Sequence, residues 1–243
     1  MNDETNRTTP PALPTNPPPE DATVATGNIV TRLLKSPLSV ALTIKTGGNL
    51  AAESVKMLGA ALLCHAVFGL AAGLFGGWEV AAMAAWKAPF IALCAMLLCL
   101  PSLYVFAAVL GSPMRAAQAL AFASACLATT GLILVALAPV AWLFAVSTES
   151  LVFVVVMAFI MWLAALGFTA KFLACAKDSG LLNKHAGLRL WFVILILVSL
   201  QMTTVMRPIL STPREGESAA PREKMFFLQH FGKTFDAMLE KSR

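Results

Sequence analysis

Long apolar runs, separated by short polar stretches, occupy the middle of this chain of 243 residues. A bilayer core roughly 30 Å thick needs about 20 apolar residues of helix to cross it. The pattern predicts an all-α fold: a polytopic transmembrane helical bundle of about five spans, with amphipathic interfacial helices at both ends. The transmembrane domain is placed at residues 57–206, with spans at about 57–78, 88–110, 116–138, 150–170 and 190–206.

Two of the runs carry rows of small residues at four-residue spacing, which predicts helical faces that allow close approach of another helix. The first run has Ala61, Gly69, Gly73 and Gly77, with His65 at the remaining position of the row. The third run has Ala117, Ala121, Ala125 and Thr129. We predict that these two rows face each other. The fourth run is rich in large apolar residues and is expected to face lipid.

Prolines and tryptophans help to define where the predicted spans bend and where they end. Pro101 removes a backbone donor inside the second run, which predicts a helix kink. Pro139 lies inside the long third run and is expected to separate a spanning part from an outer extension. Between the first two runs, residues 79–87 are interpreted as a short loop, with Trp78 and Trp86 matching each other across the turn.

The ends of the chain differ from its middle. Residues 1–27 are rich in Pro, Thr and Asn and predict a disordered tail. Residues 28–56 predict an amphipathic helix at the membrane interface, its basic side toward lipid head groups, or a cytoplasmic helix packed on the loops. In the tail at 207–243, residues 225–239 predict a second amphipathic helix. Its stripe of rings is expected to dock on lipid or on a partner: Phe227, Phe231 and Phe235.

Composition supports the membrane class. The chain is 58% hydrophobic and 13% charged, whereas soluble domains usually carry about 25% charged residues. A net charge of +5 would favour nucleic acid as the partner of a soluble protein. In a membrane protein it indicates orientation and attraction to anionic lipid. We therefore expect the lipid bilayer, and no nucleic acid, as a partner.

The distribution of Lys and Arg predicts a cytoplasmic amino terminus. With five spans, the inner side collects Arg32, Lys35, Lys45, Lys56, Arg115 and the basic residues of the loop at 171–189. The outer loops hold only Lys87, although the basic residues of the carboxyl tail would also lie outside. An even number of spans is the alternative, for instance if the third run forms a hairpin. The tryptophans Trp78, Trp86 and Trp142 favour five, since they then share the outer interface.

The sequence carries no recognisable catalytic motif. It has no HExxH helix, no phosphate-binding loop and no CxxC pair. We expect its five cysteines to be buried free thiols rather than metal or disulfide ligands. No acidic residue lies in the middle of a predicted span, which disfavours a proton-coupled transporter. We therefore expect no enzymatic activity, cofactor or metal.

His65 is an ionisable ring inside a predicted span. Such a group is costly in lipid and normally has a partner. We expect a neutral imidazole that hydrogen-bonds to an adjacent span. A protonatable switch near neutral pH is the alternative.

The architecture and the stretch LCLPSLYVFAAVLGS, at 98–112, resemble the Yip family of five-span, Rab-interacting membrane proteins and its bacterial relatives. The likeness covers about residues 50–207 and implies a five-span helical bundle. The DLYGP signature of the eukaryotic members is absent. Spans rich in Ala and Leu indicate a multi-pass protein of the bacterial inner membrane, or of an endomembrane if the source is eukaryotic.

These observations favour a non-enzymatic integral membrane protein that organises or scaffolds a membrane-protein partner, a lipid or copies of itself. The alternative is a small-solute channel or transporter, suggested by the kinked spans and by Gln201, Thr203 and Thr204. A membrane enzyme is the third hypothesis.

Overall fold

A computed structural model describes residues 28–109, 111–112, 114–178 and 185–205. In these ranges the chain forms α-helices and one short 3-10 helix at Leu74–Gly76, with no strand, which confirms the all-α fold class. The α-helices are α1 (Ile29–Lys35), α2 (Pro37–Thr46), α3 (Leu50–Gly73), α4 (Trp78–Val109), α5 (Ala116–Ser147), α6 (Leu151–Asp178) and α7 (His185–Val205).

Among the described residues, four helical segments are long and apolar enough to cross a membrane: Leu50–Gly76, Trp78–Val109, Ala116–Ser147 and Leu151–Ala174. A multi-pass helical membrane protein is therefore the class that the structure supports. In α7, the apolar part Gly187–Thr203 is shorter. A fifth crossing by α7 stays a prediction.

Helix α5 is the centre of the bundle. Of its most apolar 18-residue stretch, 61% is buried, against 22% to 33% in the other three long helices. It packs most extensively against α3 and also against α6, α4 and α2. Small side chains on α5 allow these approaches, since Ala119, Ala121 and Ala125 are completely buried. Helix α6 is the least buried, and large side chains such as Ile160 and Phe168 form its outer surface.

The connection between α3 and α4 is tighter than the sequence suggested. Gly77 adopts a φ of 89°, a left-handed conformation that glycine tolerates and other residues rarely adopt. This single turn is sufficient, so α4 begins at Trp78 and the loop predicted at 79–87 is wrong. Trp86 lies inside α4, with its ring centroid 6.1 Å from that of Phe90.

The prolines do not end the helices. Helix α4 continues through Pro89 and Pro101, and α5 continues through Pro139 as far as Ser147. The continuous α5 excludes the hairpin considered for the third run. The division of α5 at Pro139 into a span and an outer extension stays a prediction. Membrane helices tolerate internal proline because neighbouring groups satisfy the freed backbone carbonyl.

Helices α1 and α2 pack against the bundle. Their buried apolar residues belong to the same core as α5 and α6: Ile29, Leu33, Val40, Ala41 and Ile44. Gln118 ties them to α5, because its Nε2 donates to the carbonyls of Ile44 at 3.1 Å and Lys45 at 3.0 Å. The contacts fit a helix pair packed on the protein, and the interfacial location stays a prediction.

The side chain of Arg32 turns toward α2. Its Nη2 donates to Oγ1 of Thr43 at 2.9 Å and to the carbonyl of Ser39 at 3.3 Å. The sequence predicts that the basic side of this segment faces lipid head groups, and this orientation stays a prediction. The guanidinium of Arg32 holds α1 and α2 together.

Several predictions lie outside the described residues. They are the tail at 1–27, the middle of the basic loop at 179–184, the end of the fifth span at 206, and the carboxyl segment at 207–243. The docking stripe of Phe227, Phe231 and Phe235 falls in that segment and stays a prediction.

Candidate functional site

The small-residue row of α3 contacts two different helices. The carboxyl-terminal part of the row, Gly69 and Gly73, packs on α4. A Cβ atom on Gly69 would lie 2.5 Å from the carbonyl oxygen of Ala84. A Cβ on Gly73 would lie 2.7 Å from Cα of Ala81. Real Cβ atoms do not approach other atoms this closely, so only glycine permits the observed separation of α3 and α4.

The amino-terminal part of the row, Ala61 and His65, packs on α5 at Gly131. Gly131 was not singled out from the sequence. A Cβ on Gly131 would lie 2.9 Å from Nδ1 of His65 and 3.1 Å from the carbonyl oxygen of Ala61. Gly131 follows the predicted row of α5 and could have been found by asking which residue of the third run lacks a side chain.

The prediction that the two rows face each other needs correction at Gly69, Gly73 and Gly77. The predicted α5 residues Ala121, Ala125 and Thr129 are buried, and the Thr129 hydroxyl donates to the carbonyl of Ala125 at 2.8 Å. Gly69 and Gly73, however, face α4 and not α5. Gly77 is outside the packing surface altogether, because it forms the exposed turn before α4.

His65 is buried, with 6% of its surface exposed, and Nδ1 lies 2.7 Å from the carbonyl oxygen of Ala61. A carbonyl oxygen only accepts, so Nδ1 carries the proton of this bond. In the neutral ring, Nε2 then presents a lone pair. We had expected the partner on an adjacent span, whereas the structure places it one turn earlier on the same helix.

A cavity of about 200 Å³ lies beside His65. Helices α3, α4, α5, α6 and α7 all contribute to its wall. Most of its lining is apolar and comes from Ile91, Ala92, Met96, Ala123, Leu127, Leu134, Leu166 and Leu195, with the rings of Phe68, Trp162 and Trp191. The polar residues of the wall are His65, Thr130, Ser199 and Thr203. The wall of the cavity therefore combines an apolar surface with a few polar atoms. Four of the helices that form it, α3 to α6, contain segments long and apolar enough to cross a membrane.

The hydroxyl groups of the wall already have partners. Ser199 donates to the carbonyl of Leu195 at 2.7 Å, and Thr203 donates to the carbonyl of Ser199 at 2.9 Å. Oγ1 of Thr130 lies 2.7 Å from Oγ1 of Thr169, which joins α5 to α6. Because these hydroxyl hydrogens are engaged, the wall offers few donors to a guest molecule.

Trp191 lines the cavity and contacts both α4 and α5. Its Nε1 donates to the carbonyl of Cys99 at 2.9 Å, and the side chain is 1% exposed. Its ring centroid lies 6.1 Å from that of Phe122, which stacks on Phe172 at 5.7 Å. This aromatic cluster joins α4, α5, α6 and α7. Trp191 was not singled out from the sequence, although it is the only tryptophan of α7.

The described residues offer no metal site, since no group of three or more His, Cys, Asp or Glu lies together within them. Cys64, Cys94, Cys99 and Cys126 are free thiols. The residues that line the cavity offer a mainly apolar surface with a few polar atoms, which is suited to binding an apolar molecule.

Comparison with known proteins finds no matching family model, no similar curated protein and no similar solved structure. The resemblance to the Yip family stays a prediction. The function is therefore argued from the cavity and from the helices that build it.

Proposed function

We propose that this protein is a non-enzymatic, multi-pass integral membrane protein that binds and organises a lipid within its helical bundle. The observation that supports the proposal is the largely apolar cavity beside His65, to which α3, α4, α5, α6 and α7 all contribute. In a lipid bilayer the protein is surrounded by apolar chains, and such a chain is the molecule that most readily fills an apolar cavity.

The size of the cavity fits part of a lipid chain. An apolar cavity of about 150 Å³ in a protein core stays free of water and takes up benzene. The cavity here, at about 200 Å³, is larger than that. It is smaller than the roughly 300 to 1,000 Å³ of a site for a drug-sized molecule. One chain or ring, rather than a whole phospholipid, is the occupant that this volume supports.

We place the protein in the bacterial inner membrane with a cytoplasmic amino terminus. Arg32, Lys35, Lys45 and Arg115 support this orientation, because they lie on α1, on α2 and just before α5, all near one end of the bundle. In this arrangement α7 is a fifth crossing, and α1 and α2 cover the cytoplasmic end.

A protein partner or a second copy of the chain is compatible with this function. Such a partner would contact the large exposed side chains of α6, because Gly69, Gly73 and Gly131 are already used inside the bundle. The contact between α6 and its partner would then depend on complementary packing of large apolar side chains rather than on close approach of glycines.

A small-solute channel or transporter is the second candidate function. Ser199 and Thr203 line the cavity, and Oε1 of Gln201 is buried without a partner among the described residues, which favours this alternative. The engaged hydroxyl hydrogens of Ser199 and Thr203 oppose it, since a hydrated solute needs free polar groups along its path.

The test is to measure lipid binding and solute flux with the same preparations. Wild-type protein in mild detergent is examined by native mass spectrometry for retained lipid, and proteoliposomes are examined for solute flux. Ala92→Phe places a ring in the cavity, and Ala82→Phe places one on the exposed surface of the same helix. We expect retained lipid that Ala92→Phe removes and Ala82→Phe leaves. Solute flux abolished by Ala92→Phe, without retained lipid, would support the channel instead.

A further inference from the structure

The acceptor nitrogen of His65, Nε2, is unpartnered within the part of the chain that the structure describes. Nδ1 is bonded to the carbonyl of Ala61, and no hydrogen bond to Nε2 is formed by the residues that the structure describes. The side chain is more than nine-tenths buried and belongs to the cavity wall. Buried polar atoms in proteins are normally hydrogen-bonded, so an unpartnered acceptor at a cavity wall indicates a place for a ligand atom.

The ring is held in a fixed orientation. The bond to Ala61 sets its rotation, and the backbone of Gly131 passes on the Nδ1 side so closely that no Cβ could fit there. The Nδ1 edge is thereby occupied by α3 and α5. The Nε2 edge is therefore the part of the ring that can contact a molecule in the cavity.

The surrounding charges restrict the class of ligand. Among the described residues that line the cavity, none is a Lys, Arg, Asp or Glu. A phosphate or an ionised carboxylate would lack a counter-charge there, and burying an unpaired charge is strongly unfavourable. A neutral group that donates a hydrogen bond satisfies both the acceptor and the absence of charge.

We propose that the cavity binds a neutral lipid through a free hydroxyl group, which donates a hydrogen bond to Nε2 of His65 while the chain lies along the apolar wall. This inference rests on the proposed lipid-binding function and adds the chemical class of the lipid. The rings of Trp162 and Trp191 and the side chains of Met96 and Leu195 form the surface for the chain.

The test compares two probes of similar length in the full chain reconstituted into nanodiscs. Tritiated 1-decanol carries a hydroxyl donor, and tritiated decyl methyl ether carries an oxygen that only accepts. Empty nanodiscs correct for partition into lipid. We expect the protein to bind the alcohol more tightly than the ether by about two- to tenfold, the range for one neutral hydrogen bond.

Variants locate this preference. His65→Leu is expected to bind the two probes equally, whereas Ala92→Phe is expected to bind neither and Ala82→Phe to behave as wild type. Equal binding of alcohol and ether by the wild-type protein would overturn the role of His65 and leave the lipid-binding function standing. Absence of saturable binding of either probe would overturn both. The wild-type comparison decides the question even if the His65→Leu protein does not fold.

Discussion

The indole nitrogen of Trp191 donates a hydrogen bond to the backbone carbonyl of Cys99 across 2.9 Å, and this bond joins α7 to α4. The same carbonyl accepts a hydrogen bond from the Ser102 hydroxyl at 2.8 Å. Pro101 lies between these two residues of α4, so the docking point of α7 coincides with the proline of that helix. Trp191, which lines the cavity, is thus held both by packing of its ring and by the hydrogen bond of its nitrogen.

Substitutions at Trp191 separate these two contributions. Trp191→Phe keeps a ring beside Phe122 but removes the donor, with an expected cost of about 0.5 to 1.5 kcal/mol. Trp191→Ala also removes the ring, with an expected cost of about 3 to 5 kcal/mol. Unfolding in mixed detergent micelles measures both. Trp142→Phe is the control, because Trp142 is 50% exposed, and its stability is expected to match the wild type. Equal effects at both tryptophans would contradict the docking role.

Two helical glycines, Gly73 at the end of α3 and Gly167 inside α6, are expected to respond oppositely to substitution by alanine. In open space Gly→Ala favours a helix by about 0.5 to 1 kcal/mol. Gly167 of α6 has such space, since a Cβ there would meet no atom within 4 Å. Gly73→Ala forces its methyl group against Ala81 and is expected to destabilise the fold by about 1 to 3 kcal/mol.

Thermal unfolding in detergent measures this comparison. The larger pair Gly73→Ile and Val155→Ile extends it, because Val155 is 44% exposed on α6 and accommodates the change. Similar melting temperatures for Gly73→Ala and Gly167→Ala would show that the contact between α3 and α4 does not depend on glycine.

Gln118 is expected to control the attachment of α2. Its Nε2 donates to the carbonyls of Ile44 and Lys45, while its Oε1 accepts from the backbone nitrogen of Arg115. Gln118→Glu keeps the acceptor but places a second oxygen opposite two carbonyls. Unsatisfied buried groups cost about 1 to 3 kcal/mol each, so α2 is expected to detach.

Hydrogen exchange measured by mass spectrometry tests this expectation. Backbone amides of α1 and α2 are expected to exchange faster in Gln118→Glu, whereas those of α5 stay protected. Gln118→Met, which has similar length and no charge, is expected to show a smaller increase. Unchanged exchange in α2 of the Gln118→Glu protein would refute the attachment through Gln118.

The five-span orientation predicts the side on which two loops lie. In a cysteine-free background, Lys184→Cys is expected to react only with a membrane-permeant thiol reagent in intact cells. Glu149→Cys, between α5 and α6, is expected to react with an impermeant reagent as well. Reaction of both positions from the same side would contradict a spanning α6.

Helical periodicity explains what could be predicted from the sequence. Local spacing alone predicts one helical face for Ala61, His65, Gly69 and Gly73, and all four are buried in α3. Which helix each residue contacts depends on how separate helices pack, and this information is absent from the spacing. Gly77 has the same spacing but serves a turn.

The remaining differences have similar causes. Glu79 and Lys87 suggested a loop because they are charged, yet the first turns of α4 accommodate both. Pro139 suggested a break, whereas the helix continues through it. The cavity could not be predicted because its wall combines residues of five helices that are far apart in the chain.

The central position of α5 has a consequence for biosynthesis. Ribosomes add about 5 to 20 residues per second, so α3 and α4 emerge several seconds before α5 is complete. During that interval α3 lacks its most extensive partner. The contacts that α3 can already form are those with α4, where Gly69 and Gly73 allow the two backbones to approach closely. The order of synthesis therefore makes the α3–α4 pair available to fold first.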